Sequence, residues 1–479
     1  MDTPHHCKYL AALLAVVMVG WAVPTQAQQR QKKPQGRQIP QIPSDQTTQG
    51  TVTVDGQQIN YDAVAGTIPL FNRKRDTTAH IFYTAYFKRD VEDRSDRPVT
   101  FLYNGGPGSA TIWLHMGAFG PVRVGTKDTA QVGGAPYELL ENQQSLLDVT
   151  DVVFVDAPGT GFSRLTRHGK PDNFFGVDQD AQAFADFMTR FFTKYERWNS
   201  PKYLLGESYG TTRSAVLANI LTTEKSVNLN GVIMLSQVLD FSNLADYPQR
   251  NPGNDRPYQL VLPTYAATAW YHNELPNRPD SLEPFLDEVE RFAMGPYAHA
   301  LAMGSALPDE RFNEIAQKLH QYTGLSVEYL KKADLKVSGG EFAKRLQVED
   351  RITTGRLDSR FTGPSMDPLS QRRQYDPQSS SISSAYVSLF NKYARETLDF
   401  GHHMTYRPSY RRDWDFDHGG FFGIGMSVLP DLAETMQYNP KMDVLVTGGY
   451  YDLATPYYES IYEMRHLPIS DDLQDNISY

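Results

Sequence analysis

A chain of 479 residues with 12% aromatic and 21% charged residues can bury one large core plus an insertion, or two domains, and its bulk is not disordered. The net charge of −10 argues against nucleic acid as the main partner. The single cysteine, Cys7, lies so close to the start that the rest of the chain has no disulfide, no thiol nucleophile and no zinc–thiolate site.

Lys8 precedes an apolar run from Tyr9 to Val23, and Thr25-Gln26-Ala27 offers a small-residue cleavage site. Residues 1–27 read as a secretory signal peptide, too short and wrongly flanked to span a membrane, and no later stretch reaches spanning length. Cys7 leaves with that signal. Secretion without disulfides suits a protein of the bacterial envelope, secreted or periplasmic. Residues 28–50 are rich in Gln, Pro and Lys with no apolar period, and read as a disordered linker of charge +3. Residues 51–479 then carry −13, an acidic body.

From Thr51 the pattern changes. Thr51–Val54, Asp55-Gly56 and Gln57–Ala63 read as a hairpin, and Ala79–Phe87 as a further strand. Pro98–Tyr103 reads as a buried strand running into Asn104-Gly105-Gly106-Pro107-Gly108-Ser109. Val152–Val155 is a continuous apolar run, as in a central parallel strand. Phe184, Phe187, Met188, Phe191, Phe192 and Tyr195 recur at helical spacing. Tyr203-Leu204-Leu205 ends a strand, Gly206-Glu207-Ser208-Tyr209-Gly210 is a G-x-S-x-G turn, and Val216, Leu217, Ile220 and Leu221 share a helix face beyond it. That is the strand–elbow–helix context of a serine nucleophile. Gly231–Ser236 is the next strand.

The alternation predicts an α/β fold, an α/β-hydrolase with a mostly parallel sheet covered on both faces. Its first part is 51–239. From about Asp240 to Gly425 the rhythm gives way to helical pieces such as Leu282–Met294 and Glu310–Tyr322, so 240–425 reads as a helical cap insertion. Within it, the Ser-, Pro- and Gln-rich stretch 363–384 reads as an exposed loop. Residues 426–479 return to the core with a strand at Asp443–Thr447, Pro456 at the first turn of a helix, and Asn476–Tyr479 as the start of one more strand.

Ser208 is the candidate nucleophile. A serine hydroxyl needs a histidine base, and the base an orienting acid. Asp452, just past the strand 443–447, fits the Ser…Asp…His order, with Asp240 as the alternative acid; Asp156 precedes the serine and breaks that order. An oxyanion hole needs two N–H donors. Tyr209 supplies one and Gly106, in the glycine-rich loop, the other.

Asn-Gly-Gly-Pro-Gly (104–108), Asp-x-Pro-Gly-Thr-Gly-Phe-Ser (156–163), Gly-Glu-Ser-Tyr-Gly (206–210) and Gly-Tyr-Tyr-Asp (449–452), in that order, resemble the serine carboxypeptidase family, specifically its disulfide-free bacterial members. The resemblance implies a peptide substrate with a free C-terminus, hydrolysis through an acyl-enzyme, no cofactor and no metal. It gives Asn104 and Glu207 the substrate's carboxylate. Two carboxyl groups face to face must share a proton, which favours acidic pH. Three departures stand out. Leu102 occupies the family's usual tryptophan position, and Ala118-Phe119-Gly120-Pro121 lacks its second glutamate. The family's catalytic histidine follows one strand further on than Asp452. The only histidine after Asp452 is His466, on or just after the intervening helix, and Gly401-His402-His403-Met404 precedes the acid. The expectation is therefore a chain cut short at its C-terminal end and nearly inactive for lack of that histidine. The competing expectations are a non-catalytic peptide- or carboxylate-binding protein, and an esterase or acyltransferase on the same fold.

Overall fold

The computed structural model describes residues 42–410, 412–419 and 426–479. The expected signal peptide and most of the expected linker lie outside the described residues. The linker's last residues do not: Gln46–Val54 is a strand, β1, and Asp45 accepts the Thr67 backbone N–H at 3.0 Å, so the fold begins earlier than residue 51. The polar letters of 46–50 hide this, because an edge strand with one wet face needs few apolar residues.

The main sheet continues with β2 (Gln57–Phe71), β3 (Thr77–Lys88), β4 (Val99–Tyr103), β5 (Asp151–Val155), β6 (Lys202–Glu207), β7 (Gly231–Leu235), β8 (Asp443–Thr447) and β9 (Ile477–Ser478). In space the order is β1-β2-β3-β5-β4-β6-β7-β8-β9. The first hairpins and the β3–β5 contact are antiparallel; from β5 across to β9 every pairing is parallel. The chain passes from β4 to β5 on one side, then returns to place β6 on β4's other side. This reversal opens a crevice at the carboxyl ends of β4 and β6, where open α/β sheets bind ligands.

The helices that frame it are α1 (Val177–Lys194), α2 (Tyr209–Asn219), α3 (Arg256–Tyr271), α4 (Leu282–Phe292), α5 (Asp309–Thr323), α6 (Pro377–Glu396), α7 (Leu429–Tyr438) and α8 (Tyr457–Arg465). Strand periodicity sends Phe101 and Tyr103 to one face of the sheet and Leu102 to the other. On the first face they pack with Phe184, Phe187 and Phe191 of α1, Leu217 of α2 and Leu432 of α7. On the second, Leu102, Tyr86 and Phe154 meet Tyr386, Leu389, Phe390 and Tyr393 of α6. A third cluster joins α3, α4 and α5 to Phe342, Leu453 and Tyr457.

Within the stretch 240–425, residues 245–346 form a helical body with its own core, while α6 is a wall of the sheet's core. The predicted exposed loop 363–384 is corrected in its second half, which is the start of α6. Asp376 and Pro377 open that helix, and Ile382, Tyr386, Leu389, Phe390 and Tyr393 recur at helical spacing. Its serine-rich first turns have modest helix propensity, and burial of this stripe overrides it. Among the described residues, no helix is long and apolar enough to cross a membrane.

Candidate active site

β6 ends at Glu207 and α2 begins at Tyr209; between them Ser208 has φ 56° and ψ −128°, a strained turn for a non-glycine residue. The Ser208 N–H donates to the Leu235 carbonyl at 2.9 Å, which pins the turn to the end of β7. A Cβ on Gly206 would lie 2.2 Å from the Gly210 carbonyl oxygen, and one on Gly210 would lie 2.8 Å from that of Tyr103. Both elbow glycines are therefore dictated by close approach of backbone.

Asn104 follows β4 directly and is held at three points. Its Oδ1 accepts from the Leu114 N–H at 3.1 Å, its Nδ2 donates to Glu207 Oε2 at 2.8 Å, and its backbone carbonyl accepts from Arg213 Nη1 at 3.0 Å. Burial pushes the Glu207 carboxyl above its ordinary range; the hydrogen bonds from Asn104 and Gly105 and the charge of Arg356 pull it back, while Asp452 pushes it further up. Arg213 was not singled out by the sequence. Its guanidinium is wholly buried, pairs with Asp180 at 2.6 Å, and lies over the rings of Phe184, Tyr103 and Tyr209. It fastens α1, α2 and the glycine-rich loop together beneath the elbow.

Asp452 lies past β8. Its carboxylate accepts from the N–H groups of Ala454 (2.8 Å) and Thr455 (3.1 Å) and from the Thr455 hydroxyl (2.8 Å). It therefore also caps the turn into α8. Burial raises its pKa against these hydrogen bonds and one from Ser236. Asp240 is used elsewhere: its Oδ1 caps Ser242 at 2.9 Å and its N–H donates to Glu463. Asp156 accepts the Thr111 N–H at 2.8 Å behind the glycine-rich loop, and burial pushes it up to about 7.

Asn104, Gly106, Glu207, Ser208 and Asp452 all line one cavity of about 500 Å³, together with Trp113, Ser236, Arg356 and the Tyr386 side of α6. Tyr209 contributes no side chain: its ring is buried and its hydroxyl accepts from Trp414 Nε1 at 3.2 Å. A larger cavity of about 730 Å³ runs between the β2–β3 hairpin and α1 around His418; it does not reach Ser208.

Among the described residues, no histidine lines the Ser208 cavity or hydrogen-bonds to Ser208. His402 is exposed and pairs with Asp399 at 2.8 Å, and His403 is exposed beside it. His466 is exposed, stacks on Tyr462 and bonds that residue's carbonyl at 2.6 Å. Trp113, Tyr386 and Arg356 were missed because they lie in no motif. They come from three distant segments that only the fold brings together.

A strained serine turn after a parallel strand, with a glycine-rich loop facing it across the switch in strand order, is the architecture of the α/β-hydrolase fold. Residues 56–252 match the model of the serine carboxypeptidase family. The chain is similar to the pheromone-processing carboxypeptidase KEX1 of Komagataella phaffii, 32% identical over 148 residues, which are 30% of this chain and 21% of the relative. It is also similar to serine carboxypeptidase-like 33 of Arabidopsis thaliana, 27% identical over 35% of each chain. The matched stretch thus spans between a fifth and about a third of these curated relatives. In fold, the chain resembles the crystal structure of the prohormone-processing carboxypeptidase KEX1 of Saccharomyces cerevisiae, with a TM-score of 0.51 at 16% identity over 86% of this chain and 79% of that one.

Proposed function

We propose that this protein is a serine-type carboxypeptidase-like hydrolase that releases C-terminal residues from peptides. The observation that carries the reading is the Asn104–Glu207 hydrogen bond, 2.8 Å, in the same cavity as Ser208. An amide and a buried, pKa-raised carboxyl are donors suited to a carboxylate, and their place beside the nucleophile selects the last peptide bond. Ser208 Oγ would attack the carbonyl carbon of that bond while a base takes its proton. The negative oxygen would be met by the N–H groups of Gly106 and Tyr209, each worth about 10²–10³ in rate. The C–N bond then breaks as the proton passes to the leaving amine, and water hydrolyses the acyl-enzyme. Asp452 would orient and stabilise the protonated base.

No histidine reaches this cavity among the described residues, so turnover by these residues alone is expected to be slow. That observation also favours a second reading, a carboxylate-binding protein without turnover. Export through the segment 1–27, to the periplasm or beyond, fits both readings. The discriminating experiment incubates the protein with a blocked dipeptide bearing a free C-terminus and follows release of the terminal amino acid. Release that disappears in Ser208→Ala supports the hydrolase. Binding without release supports the second reading, and equal cleavage of the C-terminal amide would contradict both. A fluorophosphonate should label Ser208; labelling that persists in Ser208→Ala would remove the nucleophile assignment.

A further inference from the structure

We propose that Arg356 is the cation that holds the C-terminal carboxylate of the bound peptide, an assignment that rests on the carboxylate-recognising reading of the cavity. Arg356 comes from the long segment between β7 and β8, beyond the helical body, and lines the cavity with Asn104, Glu207 and Ser208. Its Nε and Nη2 both bond Asp246, which presents the guanidinium as a fixed plate, and its backbone N–H donates to Asp376 at 2.7 Å. Nη1 has no hydrogen bond among the described residues. Asp246 is shared: Arg373 approaches it at 3.6 Å. One carboxylate thus serves two guanidiniums. Asp376, the other acid nearby, already accepts from the Arg356 N–H and from Ser379.

The remaining charged groups facing Arg356 are Glu207 and Asp452 inside the cavity. Among the described residues, Glu207 is the only acid hydrogen-bonded to Asn104. A single carboxyl can donate to a substrate carboxylate only while protonated, and it repels one when ionised. A guanidinium keeps its charge at every working pH and bonds carboxylates in bidentate fashion. Arg356 therefore extends carboxylate binding above the pH at which Glu207 loses its proton. The same guanidinium could instead receive an acidic side chain, and the test separates the two.

In the Ser208→Ala background, which prevents turnover, calorimetry would measure binding of N-acetyl-Phe-Leu, of its C-terminal amide, and of N-acetyl-Phe-Glu-amide at pH 5.5 and 7.5. With Arg356 present, the free acid should bind tighter than the amide at both pH values. Arg356→Met should weaken the free acid by about tenfold or more at pH 7.5, in the range of a lost charge-assisted hydrogen bond, and less at pH 5.5. Amide binding should stay unchanged, which also shows that the variant is folded, and Arg356→Lys should recover part of the loss. Unchanged free-acid binding in Arg356→Met would overturn the assignment while leaving carboxylate recognition intact. A loss confined to the Glu-amide peptide would reassign Arg356 to side-chain selection. Failure of the Ser208→Ala protein itself to prefer acid over amide would refute the carboxylate reading as a whole.

Discussion

At Glu207 two requirements conflict. In the proposed reading the residue donates to a carboxylate, yet it is a carboxyl itself, and burial favours its protonated form. Ionisation of Glu207 should therefore weaken binding of a free C-terminus as pH rises. Glu207→Gln fixes the neutral form, and its affinity for a free-acid dipeptide should be flat from pH 5 to 8 while that of the native protein declines; an identical decline in both would show that Glu207 does not face the ligand. Ser208, Glu207 and Asn104 were legible in the sequence because each lies in a short motif whose spacing the elbow and loop enforce. Asp452 was placed near the Ser208 cavity by its position after a strand, and the structure also has it cap the turn into α8. Arg356 and Arg213 were not legible, since their partners Asp246 and Asp180 lie 110 and 33 residues away.

At the scale of elements, the parallel strands were readable from apolar runs, and β5 shows why its one charged end is tolerated. Asp151 is buried, and it accepts from Arg97 Nε at 2.7 Å and from Arg197, whose side chain has no exposure. Arg197 also donates to the Arg97 carbonyl, so the three residues clamp β5 to the entry of β4. Asp151→Ala leaves two buried guanidiniums uncompensated and should cost about 3–5 kcal/mol in denaturant unfolding; a loss below about 1 kcal/mol, the worth of a surface pair, would mean that the clamp contributes little. α6 was misread over its first turns because composition speaks for a loop, while the reason for the helix is a partner face on the sheet. The same holds for residues 46–50 of β1, whose pairing with β2 is invisible in their own letters.

For the whole molecule, fold class and the positions of the core strands along the chain followed from the sequence, whereas their order in space and the division between cap and core did not, because a helix buried on a sheet and a helix in a cap look alike in periodicity. Stability against pH is also a property of the whole. His418 bridges Asp178 at 2.6 Å and Asp431 at 2.8 Å, and these hydrogen bonds raise its pKa to about 10. Its raised folded pKa adds stability that is full below the unfolded value near 6.5 and is lost as pH rises toward 10. Burial lifts Glu459 far above the carboxylate range, so its proton acts in the same direction. Buried His115, held down to about 3, works oppositely but only below 6.5. The melting temperature should fall from pH 7 to 9.5, and His418→Gln should flatten that fall; an unchanged slope would remove His418 from the account. The central claim, that Ser208 sits in a site built for a free peptide C-terminus, is tested most directly by protection. Fluorophosphonate labelling at Ser208, mapped by peptide mass spectrometry, should be slowed by a blocked dipeptide with a free C-terminus and hardly at all by its amide. Equal protection by acid and amide, or label at another serine, would contradict it.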